Sequence, residues 1–231
     1  MYYAPTKTWA LARTSNLNEE LGQIKYIFSD KTGTLTRNVM EFKKCTIAGV
    51  MYAITDPDER GKVDERESAL SLNLRDHASK NIVESVMVLM AVCHTVIPET
   101  KEDGSIFFNA SSPDEKALVE GALRYGFEFV ARKPESVVIR TPSGEWREYL
   151  VLNVIEFTST RKRMSVVVRT PEGQIRLFTK GADTMIVERL GKDKPHEAYY
   201  GATVEHLERF AKDGLRTLCL GARDIPESEY K

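Results

Sequence analysis

Ile24-Lys25-Tyr26-Ile27-Phe28-Ser29-Asp30-Lys31-Thr32-Gly33-Thr34-Leu35-Thr36 is the stretch on which the reading of this chain turns. Its first five residues are mostly apolar and rich in β-branched and aromatic types, the pattern of a strand buried in a parallel sheet. Asp30 then falls just past the carboxyl end of that strand, where open α/β sheets place their ligands. Lys31 sets a positive charge beside the carboxylate. Gly33 lets backbone N–H groups come close to an anion, as in a phosphate nest. A carboxylate so placed can attack phosphorus and become an aspartyl phosphate, provided Mg²⁺ shields the charge.

The residue two places after the Asp decides the fate of that phosphate. Phosphatases of the haloacid-dehalogenase type carry a second Asp there, which protonates the leaving group and activates water. Here the position is Thr32, which does neither well, so the covalent phosphate is expected to persist. The seven residues Asp-Lys-Thr-Gly-Thr-Leu-Thr, 30 to 36, resemble the phosphorylation motif of P-type ATPases. That resemblance implies Asp30 as nucleophile, Lys31 as a charge on the transferring group, and the Thr32 carbonyl beside Asp30 as a Mg²⁺ ligand.

Working outward, the 231 residues suffice for one good core or two small ones. Apolar content of 42% and charged content of 29% are those of an ordinary globular domain. A formal net charge of −1 gives no electrostatic reason to expect nucleic acid or an anionic membrane surface as a partner. The three cysteines, Cys45, Cys93 and Cys219, are widely spaced, make no zinc pattern and read as free thiols. Cys93-His94 ends an apolar run and reads as core packing. No segment reaches the ~20 apolar residues of a membrane span, and the first residues lack the pattern of a signal peptide. The segment is therefore expected to be cytosolic in character.

Before the motif, Ser15 or Asn16 is an N-cap for a short helix that Gly22 stops. After it, Phe42 to Tyr52 predicts a strand or hairpin around Gly49. Residues 55 to 64 predict a loop, and 65 to 74 are ambiguous. Ser79 to Cys93 carries a helical apolar stripe at 82, 83, 86, 89 and 90. Residues 101 to 104 predict a turn and Ile106 to Asn109 a strand. Ser112-Pro113-Asp114-Glu115 opens a helix with an N-cap hydroxyl, a first-turn Pro and two acids, and Gly126 stops it. Strands are expected at 127–131, 136–140, 146–157, 164–169 and 175–179, then helices at 182–190 and 196–213, and a strand at 216–222.

Strands from 127 to 179 flanked by helices describe an α+β domain on an antiparallel sheet. The expected fold class is thus α/β plus α+β: the first part of a haloacid-dehalogenase-like parallel sheet, then an α+β domain. An adenine pocket needs an aromatic face, a partner for the base edge and cations toward the phosphates. Phe157 before Arg161-Lys162-Arg163, Lys180 before Gly181-Ala182, Glu115 in a first turn and Arg216 after Gly214 offer these. Together they resemble the nucleotide-binding domain of P-type ATPases, in which Phe157 would stack on adenine and Glu115 would line the base pocket. Lys180 would border adenine and ribose, and Arg216 would take the phosphates; Ser159 and Lys162 are second-rank candidates.

Asn16 to Gln23, Val92 to Thr95, Ser112 to Glu115 and Glu156 to Val166 resemble the type IV branch, the phospholipid-transporting ATPases or lipid flippases. The resemblance implies a lead-in from the membrane stalk over 1–23 and the first piece of a phosphorylation domain over 24–41. It implies a nucleotide-binding domain over 42–231 and a hinge near 37 to 42. It further implies ATP and Mg²⁺ as cofactors, and a multi-pass membrane parent with this segment on its cytosolic side. The implied cargo is a phospholipid of the aminophospholipid kind, carried by membrane helices outside this segment, and an accessory subunit is implied as partner. The remaining parts of such an enzyme are expected to lie outside these residues. A stand-alone module that senses or sequesters ATP is the alternative from another class.

Overall fold

The structure, a computed structural model, describes residues 2–11, 17–53, 79–100, 106–191 and 197–230. The expectations for Ser15, Asn16, 55–64, 65–74, 101–104 and His196 lie outside the described residues. The chain divides into two compact units, residues 1–39 and 40–231.

The first unit holds a two-strand ladder of β1 (Tyr2–Tyr3) with β2 (Thr8–Trp9), and a short helix α1 (Leu17–Leu21). The strand expected at Ile24–Phe28 does not form: these residues have no regular structure, and Phe28 is 96% exposed. No parallel sheet exists among the described residues. A parallel strand has to pass its N–H and C=O groups to neighbours and bury both faces. No described strand of this chain lies alongside Ile24–Phe28 to accept either.

The second unit begins with a hairpin, β3 (Lys44–Ile47) and β4 (Val50–Ala53), joined by Ala48 and Gly49 at φ 50° and 78°. Two positive φ values in a two-residue loop match the twist of the flanking strands. Helix α2 (Lys80–Val92) comes next. Its second half is buried all round from Met87 to Val92, whereas Ile82 of the expected stripe faces solvent. The strand at Ile106–Asn109 (β6) forms as expected, against an unforeseen partner, β5 (Ile97–Thr100). Helix α3 (Pro113–Arg124) starts where the grammar put it. Ser112 has the extended N-cap backbone but makes no side-chain cap bond, so the expected hydroxyl cap is absent. Gly126, at φ 85°, ends the helix, and Phe127 N–H returns to the Ala122 carbonyl.

The main body is a six-stranded antiparallel sheet in the order β12-β11-β10-β9-β8-β7. Its strands are β7 (Glu128–Lys133), β8 (Ser136–Arg140), β9 (Trp146–Ile155), β10 (Arg163–Arg169), β11 (Ile175–Gly181) and β12 (Cys219–Ile225). Five of them form a simple meander, and β12 joins the outer edge of β11 after helices α4 (Asp183–Val187) and α5 (Glu197–Lys212). A last helical turn, α6, spans Glu227–Tyr230. Strand β10 is buried at five successive residues, 164–168, so both faces of the middle of the sheet are covered there. Phe129, Ile139, Val168 and Phe178 of the sheet share one core with Val83, Met87 and Leu89 of α2 and Val119 of α3. Gly121 on α3 leaves room for Phe42, since a Cβ there would lie 2.9 Å from the Phe42 ring. No helix among the described residues is long and apolar enough to cross a membrane.

Candidate functional site

Several strand ends differ from expectation by one to three residues, β12 running over Cys219–Ile225 and not 216–222, and two of these differences, in β9 and β11, shape the site. Strand β11 runs on through Lys180 because that residue is paired on both sides, with Met164 of β10 and Leu220 of β12. Strand β9 stops at Ile155, leaving Phe157 in the following loop. The guanidinium of Arg161 sits at this end: Nη1 lies 3.1, 2.8 and 3.0 Å from the carbonyl oxygens of Ile155, Glu156 and Arg163, while Ile155 keeps its ladder pairing with Ser165. Arg163 in turn donates to the Arg161 carbonyl at 3.0 Å. Two of the three cations in Arg161-Lys162-Arg163 thus brace their own loop.

Gly181 completes the loop's seat. A Cβ at this position would fall 2.5 Å from the Lys162 carbonyl oxygen and 2.5 Å from Arg163 Cβ. The close approach that the Lys-Gly-Ala word permits is therefore made by this chain's own backbone. Lys162 is held at φ 49° there, its carbonyl accepting from Ala182 N–H at 3.0 Å.

Between this loop, the start of α3 and the end of β11 lies a cavity of about 410 Å³. Glu115, Phe157, Lys180 and Arg216 all line it, although they come from four separate parts of the chain. Ser159 and Lys162 do not. Phe157 is 62% exposed where it lines the cavity. At the cavity's inner side, Lys180 Nζ lies 2.8 Å from Glu115 Oε1, with the two side chains only 8% and 9% exposed. Glu115 Oε2 accepts from Thr95 twice, from the backbone N–H at 3.1 Å and from Oγ1 at 2.8 Å. Burial opposes ionisation of this carboxyl. The Lys180 charge and the bonds from Lys180 and Thr95 outweigh it and hold the group below the usual carboxylate range. Arg216 lies just ahead of β12, three residues before the strand begins, and its guanidinium is 3.2 Å from Asp114.

Sequence reasoning missed Thr95, Asp114, Met164 and Leu218, which also line the cavity. Asp114 stands beside Glu115 in a stretch already singled out, so its acidity was a usable signal. Thr95 ends the Val92–Thr95 stretch that carries part of the family resemblance, but nothing local ties it to Glu115, because that relation exists only once α2 and α3 pack. A second cavity of about 440 Å³, between α2 and β12, has no aromatic residue in its lining and contains none of the candidates.

Cys93 and His94 are core residues, as expected: both are buried, and the imidazole meets the Phe129 ring edge-on at 4.5 Å. Burial pushes the Cys93 thiol up to about 12, which makes it inert.

Asp30, Lys31 and Thr32 belong to the first unit and are exposed. Asp30 is extended, at φ −69° and ψ 144°, and leads into a single turn, Lys31–Leu35. Gly33 adopts φ 79° with open space around it. Thr36 closes the turn with N–H and Oγ1 both on the Lys31 carbonyl, at 3.1 and 3.3 Å. Among the described residues no group of three or more His, Cys, Asp or Glu converges to hold a metal ion. One carboxylate and one carbonyl, as Asp30 and Thr32 offer, suit Mg²⁺, which keeps waters and substrate phosphates in its shell.

Comparison with known proteins places these features in a family. The family described as P-type ATPase, cytoplasmic domain N, matches residues 83–231. A phospholipid-transporting ATPase of Saccharomyces cerevisiae is 51% identical over the whole of this chain and 18% of its own length. One from Caenorhabditis elegans is 48% identical over 20% of its length, and one from Xenopus tropicalis 44% identical over 19%. The chain thus spans about a fifth of the length of the curated relatives it matches. With the cytoplasmic domain N matched over most of its residues, the chain belongs to the P-type ATPases.

Proposed function

We propose that this chain supplies the ATP site and the phosphorylated aspartate of an ATP-driven phospholipid translocase. The observation that carries the reading is the meeting of Phe157, Glu115, Lys180 and Arg216 around one cavity, with the Glu115 carboxylate buried against Lys180. In this reading residues 42–231 are the nucleotide-binding domain, and 24–41 open the phosphorylation domain. Phe157 stacks on adenine, whose exocyclic amino group donates toward Glu115. Lys180 borders the ribose, and the Arg216 fork turns from Asp114 to the phosphates.

Asp30 then attacks the γ-phosphorus. A bond forms between its carboxylate oxygen and phosphorus, the bond to the bridging oxygen breaks, and ADP leaves with the electron pair. Lys31 offsets charge on the transferring group. Asp30 and the Thr32 carbonyl would hold Mg²⁺, which supplies charge neutralisation on the phosphates. With Thr32 in place of a second acid, the acyl phosphate is not hydrolysed by its own neighbour.

Phosphate labelling of the intact enzyme with γ-³²P-ATP tests this. The expected product is stable in acid and cleaved by hydroxylamine, and Asp30→Asn abolishes it while leaving ATP binding in place. Label retained in the Asn variant would overturn the assignment. A stand-alone ATP sensor would show binding and no label at all.

The cargo rests on likeness alone: the relatives quoted are phospholipid-transporting ATPases. We take an aminophospholipid as the cargo and an accessory subunit as a partner of the whole membrane enzyme. ATPase activity of the purified enzyme should rise with added lipid and not with Na⁺, K⁺ or Ca²⁺. Stimulation by a cation alone would contradict this reading.

A further inference from the structure

The turn at the end of α2 is clamped from the core. His94 is buried, and its Nε2 donates to the Ala91 carbonyl at 2.8 Å. That leaves Nδ1 as an acceptor, and two donors meet it: Val96 N–H at 3.1 Å and Arg132 Nη2 at 3.1 Å. Only the neutral ring with its proton on Nε2 satisfies all three contacts. Arg132 reaches further. Its Nη2 donates to the His94 carbonyl at 2.6 Å and its Nε to the Val96 carbonyl at 3.1 Å. One guanidinium on β7 therefore grips the residues on both sides of Thr95.

Thr95, between those two fixed residues, points both of its donors at one oxygen of Glu115. Lys180 takes the other oxygen. A carboxylate bound by one partner per oxygen can still rock about its last torsion, which for Glu is broad. Two donors fixed on a rigid turn remove that freedom and set the plane of the group. The remaining lone pairs then have a defined direction in a cavity that Thr95 and Glu115 line together.

We propose that Thr95 is a positioning residue: clamped by His94 and Arg132, it fixes the plane of the Glu115 carboxylate and so sets how strictly the site selects a 6-amino purine over a 6-oxo purine. This rests on the reading of the cavity as an ATP site. An ionised carboxylate accepts from the amino group of adenine, whereas the oxo group of guanine brings a second acceptor against it. Discrimination of that kind depends on orientation more than attraction does. Loosening the carboxylate should therefore cost ATP its advantage and leave GTP almost as it was.

The test is calorimetric titration of the 231-residue chain with ATP and with GTP, for wild type, Thr95→Ser, Thr95→Val and Arg132→Lys. Thr95→Ser keeps both donors and should hold the ATP-to-GTP affinity ratio within about twofold. Thr95→Val removes the hydroxyl and should weaken ATP roughly fivefold, while GTP changes less than about twofold. Arg132→Lys keeps the charge but loses the fork, and should lower the ratio by a smaller factor in the same direction. It decides the matter by itself if Thr95→Val does not fold. Equal weakening of both nucleotides, or a wild-type chain that binds the two alike, would overturn the positioning role. Failure of the wild-type chain to bind either nucleotide would instead overturn the ATP-site reading beneath it.

Discussion

Glu115 occupies a helix first turn, where the backbone dipole favours an acid, yet its carboxylate turns inward to Lys180 and Thr95. The cost of such a pair shows when one partner is removed. Lys180→Met would leave the carboxylate buried without its cation and should destabilise the fold by roughly 3 kcal/mol or more. Phe157 is the opposite case, since its ring is mostly in solvent and carries little of the fold. Phe157→Ala should leave the melting temperature within a degree or two. It should weaken ATP binding about tenfold, the loss of about 1–1.5 kcal/mol of aromatic contact. Thermal melts and titration calorimetry of the two variants separate the roles. A Phe157→Ala chain that binds ATP as wild type would remove the stacking assignment.

Among the elements, Ile24–Phe28 shows how far an apolar run is from being a strand. Tyr26, Ile27 and Phe28 have the side chains of a buried strand and are exposed, because a strand is completed only by its neighbours. In this chain their amides should exchange with solvent at nearly unprotected rates, whereas β10 and β11 should be the slowest. Hydrogen exchange read by mass spectrometry tests this, and strong protection across 24–28 would contradict it. The sheet strands were legible for the converse reason. Each is bounded by local turn chemistry, such as Thr170-Pro171-Glu172-Gly173, where Gly173 sits at φ 88° and returns its N–H to the Thr170 carbonyl. Their ends were less legible. At the end of β9 the Ile155 carbonyl accepts from Arg161, six residues away, a contact no local pattern announces.

At the scale of the molecule, two buried groups tie the second unit to pH in the same sense. Burial and the nearby Arg132 charge hold His94 neutral, well below its ordinary value of 6.5. In the unfolded chain it protonates near 6.5, so stability is full above that pH and falls below it. Glu115 is held down instead, and its contribution is present above the ordinary carboxylate range and lost as pH falls through its folded value. Between pH 7 and 5 His94 acts first. One proton gained on unfolding corresponds to about 1.4 kcal/mol per pH unit, or roughly 3–6 °C in Tm for a chain of this size. Melting curves from pH 7.5 to 5 should show this decline, and a Tm that rises on acidification would contradict the burial of a neutral His94.

The sequence by itself determined the Asp-Lys-Thr-Gly-Thr-Leu-Thr word at 30–36, the order of most elements and the four residues around the cavity. Those features are written in short words: a cap, a turn, an alternation, a motif. Tertiary structure alone decided what those residues touch. Thr95 and Glu115 stand 20 residues apart, and Lys180 and Glu115 stand 65 apart. No local pattern encodes such pairs, because they arise where α2, α3 and β11 pack on one core. The same holds for Gly181, whose missing side chain is explained by the carbonyl of Lys162 lying where a Cβ would be. Local propensity names the candidates, and only the packing of distant segments, which sets dielectric, distance and partner, turns a first-turn acid into a buried ionised carboxylate.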